Sequence, residues 1–201
     1  MFKDSYQVVG VMSGTSLDGV DLIYVTLSCS PNWNFQIHYS ETVPYSYYWF
    51  EILSNSVHMS KDNLLSLNEG YTAELARIIN DFIAKNNIQD IDLVCSHGHT
   101  VLHEPKNGYT LQIGNLEKIA SLLQQIVVCD FRVQDVKFGG QGAPLVPIGD
   151  RLLFSQYDYC LNLGGFSNVS FEENGKRIAF DISPVNTVMN LYANQLGFAY
   201  D

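Results

Sequence analysis

The sequence predicts an α/β protein built on a mixed sheet. Three observations carry that expectation: three apolar strands stand together near the start, one long amphipathic helix follows them, and beyond it helices and strands alternate. Consecutive strands joined by short turns favour an antiparallel meander, while alternation favours parallel pairing with helices laid against the sheet.

Taken in order, residues 7–13, 20–28 and 35–45 read as strands, the third approached through Ser30, Pro31 and Asn32. Leu64, Leu67, Tyr71, Leu75, Ile78 and Phe82 then recur at helical spacing behind Ser60, a residue suited to an N-cap, and the pattern ends at Asn86 and Asn87. Residues 92–96 read as a short buried strand, 116–123 as a helix behind Asn115, and 126–129 as a second buried strand. A second unit begins after "GGQGAPLVPIGD", so the expected division is 1–150 and 151–201. It holds a strand at 159–163, a glycine turn, a strand at 169–171, a turn at Asn174 and Gly175, a strand at 177–181 and a helix at 186–196 stopped by Gly197.

Composition narrows the function classes. With 201 residues, 46% hydrophobic and 16% charged, the chain has enough apolar material to enclose a core and is not a disordered tail. Acidic side chains outnumber basic ones 21 to 11, the net charge is −10, and no stripe of Lys or Arg gathers anywhere, so neither nucleic acid nor an anionic membrane is an expected partner. The apolar segment at 8–12 is too short for the core of a signal peptide, and no run of about 18 apolar residues occurs, which points to a bacterial-type cytoplasmic protein. Cys29, Cys95, Cys129 and Cys160 form no CxxC pair and read as small buried residues rather than a zinc or redox site.

Two hairpins carry a different message. "GVMSGTSLDGVDLIYV" is a strand, a loop of glycine and hydroxyl residues, and a strand; "LNLGGFSNVSF" repeats that logic in the second unit. Glycine lets a backbone approach an anion and present N–H groups to it, Ser and Thr hydroxyls add neutral donors, and a divalent cation held through water by Asp18 could balance the charge. An ordinary hairpin is the competing reading, since Asp-Gly is a common turn. If both tips bind phosphate, those at 14–18 and 164–168 are expected to face one another.

Between them, "SHGHTVLHEP" places His97, His99 and Thr100 at the exit of a buried strand, with His103 and Glu104 following. Ligands gather at the carboxyl ends of parallel strands, so these side chains are candidates for binding a polar ligand. His97 and His99, two apart on a strand, would point to one face, which leaves open a metal site completed by His103 and Glu104 and a metal-dependent hydrolase. "DFRVQDVKFGGQGAPLVP" reads as a glycine-rich loop carrying Asp130, Arg132, Asp135 and Gln141. Arg132 could pair with a substrate carboxylate or be tied down by a neighbouring aspartate.

Together and in this order, "GVMSGTSLDGVD", "SHGHTVLHEP", "LQIGN", "DFRVQDVKFGGQGAPLVP" and "LNLGGFSNVS" resemble the anhydro-N-acetylmuramic acid kinases of bacterial peptidoglycan recycling, from Gly10 to about Asp181. The resemblance implies the actin-like, sugar-kinase and heat-shock-ATPase fold: two ribonuclease-H-like lobes, here a first lobe and the beginning of a second, with ATP between them. It implies that Gly14, Thr15, Ser16, Leu17, Asp18, Gly19, Val20 and Asp21 bind the ATP phosphates, with Gly164, Gly165, Ser167 and Asn168 as the second phosphate loop. It further implies magnesium, a small-molecule sugar substrate and, at full length, a homodimer. The implied reaction hydrolyses the 1,6-anhydro bond and phosphorylates the sugar to N-acetylmuramic acid 6-phosphate. The family's base matches Asp181 in "FDISPVN"; Arg132 and Asp135, with His97 and Thr100, fall in segments that would meet the sugar.

Two departures stand out. Where the family has the glycines of "GPGN", this chain has Ser183 and Val185, which raises the alternative of a catalytically silent relative that still binds sugar or nucleotide. Family members also run to about twice this length, and a few strands and one helix after Asp158 cannot bury a whole lobe, so exposed apolar surface or a partner chain is expected.

Overall fold

The structure, a computed structural model, describes residues 3–14 and 16–198; Thr15, one of the expected phosphate-loop residues, lies outside them. The chain divides into two compact units, Met1–Gly142 and Ala143–Asp201.

The first unit is an α/β layer on a mixed sheet. β1 (Ser5–Ser13), β2 (Gly19–Cys29) and β3 (Trp33–Pro44) form the antiparallel meander, and β1 pairs in parallel with β4 (Leu93–Glu104) on its other edge. Along the far edge of β4 lie β5 (Tyr109–Ile113), antiparallel, and the short β6 (Val127–Val128), parallel. α1 (Tyr47–Ser54) follows the meander, and α2 (Lys61–Lys85) is the long amphipathic helix, its first turn capped where the Ser60 hydroxyl accepts the Asn63 N–H. The apolar stripe of α2 buries Tyr71, Leu75, Ile79 and Phe82 against Val9, Val11, Val20, Leu22 and Val94 of the sheet, joined by Ile119 of α3 (Lys118–Leu123).

Three features depart from the sequence reading. The strand expected at 92–96 runs on to Glu104 and pairs with β5, which had not been expected. The YYWFEILS segment is helical. The segment read as a loop from Asp130 onward contains α4 (Phe131–Lys137), because Phe131 lies against the His97 ring at 5.7 Å and Val136 is buried, giving this short stretch an apolar side.

The second unit holds α5 (Pro147–Leu153), a three-stranded antiparallel sheet of β7 (Tyr159–Leu163), β8 (Phe166–Glu173) and β9 (Lys176–Pro184), and α6 (Asn186–Gln195). Register sorts the two faces. Tyr159, Phe171 and Ile178 form one cross-strand row and Leu161, Val169 and Phe180 another on the same face, while Cys160, Ser170, Ala179 and Asn162, Asn168, Asp181 lie on the opposite face. α5 reaches that second face through Asp150, which accepts from the Ser170 hydroxyl at 2.5 Å and lies 3.8 Å from Arg177. On the apolar face Tyr159, Leu161, Leu163 and Phe180 remain exposed, as expected of a sheet with few helices to cover it.

Candidate active site

The loop after β1 is anchored at both ends. At its start, the buried Ser13 hydroxyl lies 2.6 Å from the hydroxyls of Tyr45 and Tyr71 and 3.3 Å from Nδ1 of His99. At its end, the Asp18 carboxylate accepts from the Ser16 hydroxyl at 2.6 Å and from the Gly19 N–H at 3.1 Å, and Leu17 takes the left-handed conformation. Gly19 has a packing reason to be glycine: a Cβ there would lie 2.4 Å from the Val43 carbonyl oxygen of β3. Val20 is fully buried in the core, so only its backbone faces any ligand of this loop, and Asp21 on the outer side accepts from the Thr42 hydroxyl at 2.6 Å.

His97 and His99 do not share a face. Gly98 between them has φ +70°, and a Cβ there would meet the Ile113 carbonyl oxygen at 2.6 Å, so strand alternation is interrupted at this residue. His99 turns toward Ser13 and Tyr71; burial and the nearby His97 push its imidazole down to about 4 and keep it neutral. His97 turns toward α4. Its Nδ1 donates to the Gly98 carbonyl at 2.9 Å, leaving Nε2 to accept from Arg132 Nε at 3.2 Å, and burial, with the Arg132 charge, lowers its basicity. Among the described residues no group of three or more His, Cys, Asp or Glu could enclose a metal ion, so the divergence of these imidazoles removes the geometry the hydrolase alternative required.

Arg132 is half-buried, and burial holds its guanidinium below the usual arginine range. Among the described residues it makes no ion pair; its neighbour Asp135 is committed elsewhere, accepting the Gly142 N–H at 2.7 Å and packing where a Cβ on Gly140 would fall 2.1 Å from its carboxylate. The aspartate therefore shapes the 139–142 turn and does not hold the arginine. Around Arg132 the β4–β5 surface is polar. Thr100 accepts from the Gln112 amide at 3.3 Å, Thr110 accepts from it at 2.9 Å, and the Oε1 of Gln112 is buried without a partner among the described residues. His103 Nδ1 lies 3.1 Å from the Thr110 hydroxyl, and burial and the Arg132 charge lower its basicity. Asn115 ties the turn after β5 to β4 by donating to the Ser96 and His97 carbonyls, and burial raises the neighbouring Asp130 carboxyl above the usual carboxylate range. Gln112, Asn115, Ser13 and Tyr71 were not among the candidate site residues; the "LQIGN" run contained two of them.

In the second unit Asp181 is exposed and stands directly across from Asn168, which in turn stands across from Asn162. Among the described residues the Asp181 carboxylate has no hydrogen-bond or ion-pair partner. The glycine turn serves the helix behind it: the Gly164 carbonyl accepts from the Asn186 N–H, and the Gly165 carbonyl from the N–H groups of Val185 and Thr187 and from the Thr187 hydroxyl at 2.9 Å. Ser167 donates to the Ser183 carbonyl at 3.2 Å. Val185 has φ −126° and Ser183 is not among the positive-φ residues, so neither position requires the conformation that only glycine tolerates.

A profile of the anhydro-N-acetylmuramic acid kinases matches residues 6–201. The chain belongs to this family. Among curated relatives carrying that name, the protein of Pasteurella multocida is 36% identical over 96% of this chain and 54% of its own length. That of Pseudomonas putida is 38% identical over 96% of the chain and 55% of its own, and that of Haemophilus influenzae 35% over 96% and 53%. The chain thus spans about half the length of the anhydro-N-acetylmuramic acid kinases it matches. No helix among the described residues is long and apolar enough to cross a membrane.

Proposed function

We propose that the whole protein is an ATP-dependent kinase that opens the 1,6-anhydro bond of anhydro-N-acetylmuramic acid and phosphorylates the sugar, and that the first unit is the N-terminal ribonuclease-H-like lobe of an actin-type ATPase and the second the start of its other lobe. The observation that carries the substrate assignment is Arg132: a half-buried guanidinium that donates to an uncharged imidazole and, among the described residues, has no ion-pair partner, suited to the carboxylate of a lactyl-bearing sugar. His97 then acts as a positioning residue for that guanidinium, since both of its ring nitrogens are engaged. Thr100 and Gln112 supply neutral donors and acceptors for sugar hydroxyls or the acetamide.

The chemistry needs one base. Asp181 accepts a proton from water as the water oxygen bonds to the anomeric carbon; the bond from that carbon to O6 breaks, and O6 takes the γ-phosphoryl group of ATP. The products are N-acetylmuramic acid 6-phosphate and ADP. This reading assigns the ATP phosphates to the loop at 14–21 in the first unit and to the turn of Gly164, Gly165, Ser167 and Asn168 in the second. The donor set suits magnesium held mostly by phosphate and water, with Asp18 beside the first loop as the protein's carboxylate; when bound, magnesium offsets charge on the phosphates. A cytoplasmic homodimer completes this reading.

The test is the sugar specificity of Arg132→Gln in the whole protein. A charge-assisted hydrogen bond is worth about 1.5–3 kcal/mol, so KM for the lactyl-bearing anhydro-sugar is expected to rise about ten- to a hundredfold while KM for the anhydro-sugar without the lactyl group stays put. Equal losses on both sugars would remove Arg132 from carboxylate recognition, and a parent protein that forms no sugar 6-phosphate from ATP would overturn the kinase reading.

A further inference from the structure

Ser13, Tyr45, Tyr71 and His99 come from four elements or their edges: the end of β1, the residue after β3, the middle of α2 and the centre of β4. Their polar atoms make four contacts, Ser13 to Tyr45, Ser13 to Tyr71 and Tyr45 to Tyr71 at 2.6 Å each, and Ser13 to His99 at 3.3 Å. Three hydroxyls supply three protons, and a neutral His99 with its proton on Nδ1 supplies the fourth. Each contact then receives one proton: His99 donates to Ser13, and the hydroxyls donate around the ring. Ser13 gives one bond and accepts two, which is all a hydroxyl can do. The Tyr71 ring is fixed as well, edge-on to Trp49 at 5.3 Å and against Gly114, where a Cβ would lie 2.9 Å from the ring.

Val9, Val20, Leu75 and Ile79 of the first unit are wholly buried, and the equally buried Thr72 and Ser96 bond outside this network, Thr72 to the Asn68 carbonyl and Ser96 to the Asn115 side chain. A saturated polar network in such a place fixes direction as well as position, since only one arrangement satisfies all of its members. Ser13 is also the residue from which the loop departs. We propose that Ser13, Tyr45, Tyr71 and His99 form a positioning device that sets the departure of the 14–18 loop and so tunes its grip on ATP, although Tyr71, wholly excluded from water, cannot touch the nucleotide. The use of the device rests on the ATP reading above; its existence as a clamp does not.

Tyr71→Phe removes one hydroxyl and keeps the ring. In the 201-residue chain, hydrogen exchange at the amides of Gly14, Ser16 and Leu17 is expected to speed up at least fivefold, with exchange in β9 unchanged. In the whole protein, KM for ATP is expected to rise at least fivefold while KM for the sugar stays within twofold. Phe82→Leu, in the same helix, is the control for lost stability: matched in melting temperature to Tyr71→Phe by choice of conditions, it is expected to leave both the loop amides and KM for ATP as in the parent. Ser13→Ala is the second variant and is expected to reproduce Tyr71→Phe. Unchanged loop exchange in Tyr71→Phe and Ser13→Ala, or an equal effect from Phe82→Leu, overturns the clamp. Faster loop exchange with an unchanged KM for ATP overturns its role in ATP binding, whereas a parent that binds no ATP refutes the kinase reading and leaves the exchange result to judge the clamp.

Discussion

Each unit contains three consecutive antiparallel strands whose first turn carries glycine, yet the units differ in what stands behind those strands. In the first, Val9, Val20, Tyr71, Leu75 and Ile79 are completely excluded from water, and the loop after β1 is held by a buried network. In the second, Tyr159, Leu161, Leu163 and Phe180 remain 50–68% exposed, and the exposed Asp181 carboxylate has no hydrogen-bond or ion-pair partner among the described residues. A strand's alternation says which face is apolar; the elements that come after it decide whether that face is covered. Six further elements from α2 onward, α2, β4, β5, α3, β6 and α4, complete the first unit, whereas the second has α5 and α6 beside its sheet.

Side-chain truncation gives the largest test of that contrast. Leu75→Ala, in the closed core, is expected to cost about 2–5 kcal/mol of unfolding free energy, as buried leucines do. Leu161→Ala, 58% exposed, is expected to cost at most about 0.5 kcal/mol. Urea unfolding of both variants reads the difference, and a Leu161→Ala loss as large as that of Leu75→Ala would mean that the second sheet is covered in solution.

Acid acts on the closed unit next. The folded state holds His99 at about 4, below its ordinary 6.5, so the unfolded chain binds the extra proton first. Stability is full above about 6.5 and is lost as pH falls toward about 4, by about 3 kcal/mol for a shift of this size. His97 and His103, also lowered by burial, act in the same direction. Denaturation midpoints measured across this window in the parent and in His99→Gln are expected to show a shallower slope in the variant; equal slopes would assign the acid sensitivity to other groups.

The smallest effect is expected at the two departures from the family's glycines. Because neither Ser183 nor Val185 has a positive φ, Ser183→Gly and Val185→Gly are expected to lower stability by about 0.4–1 kcal/mol through chain entropy and to change turnover no more than a few-fold. A large gain in turnover on restoring the glycines would revive the silent-relative reading.

How far the sequence revealed all this depended on range. α2 was legible because six apolar positions keep helical spacing behind Ser60, and the meander because its strands are long and adjacent. β5 was not, being five residues of mixed character that become a strand only through β4, and α1 was hidden by aromatic crowding that leaves no polar stripe. The opposite orientations of His97 and His99 follow from the positive φ of Gly98, which a two-residue period cannot anticipate. Motifs singled out Arg132 and Asp181 as candidates, but the separation of Arg132 from Asp135 arose from the turn at 139–142, and the Ser13–Tyr71 contact joins residues 58 apart. Contacts of that span leave no local signal.

The central claim is that the open second unit supplies the base. Asp181→Asn preserves the shape of the side chain and removes the proton acceptor, and the exposed position makes misfolding an unneeded explanation of any loss. ADP release by the whole protein, followed with magnesium, ATP and 1,6-anhydro-N-acetylmuramic acid, is expected to fall about 10²–10⁴-fold in the variant, with sugar binding largely retained. A variant that releases ADP at the parent rate would show that Asp181 is not the base.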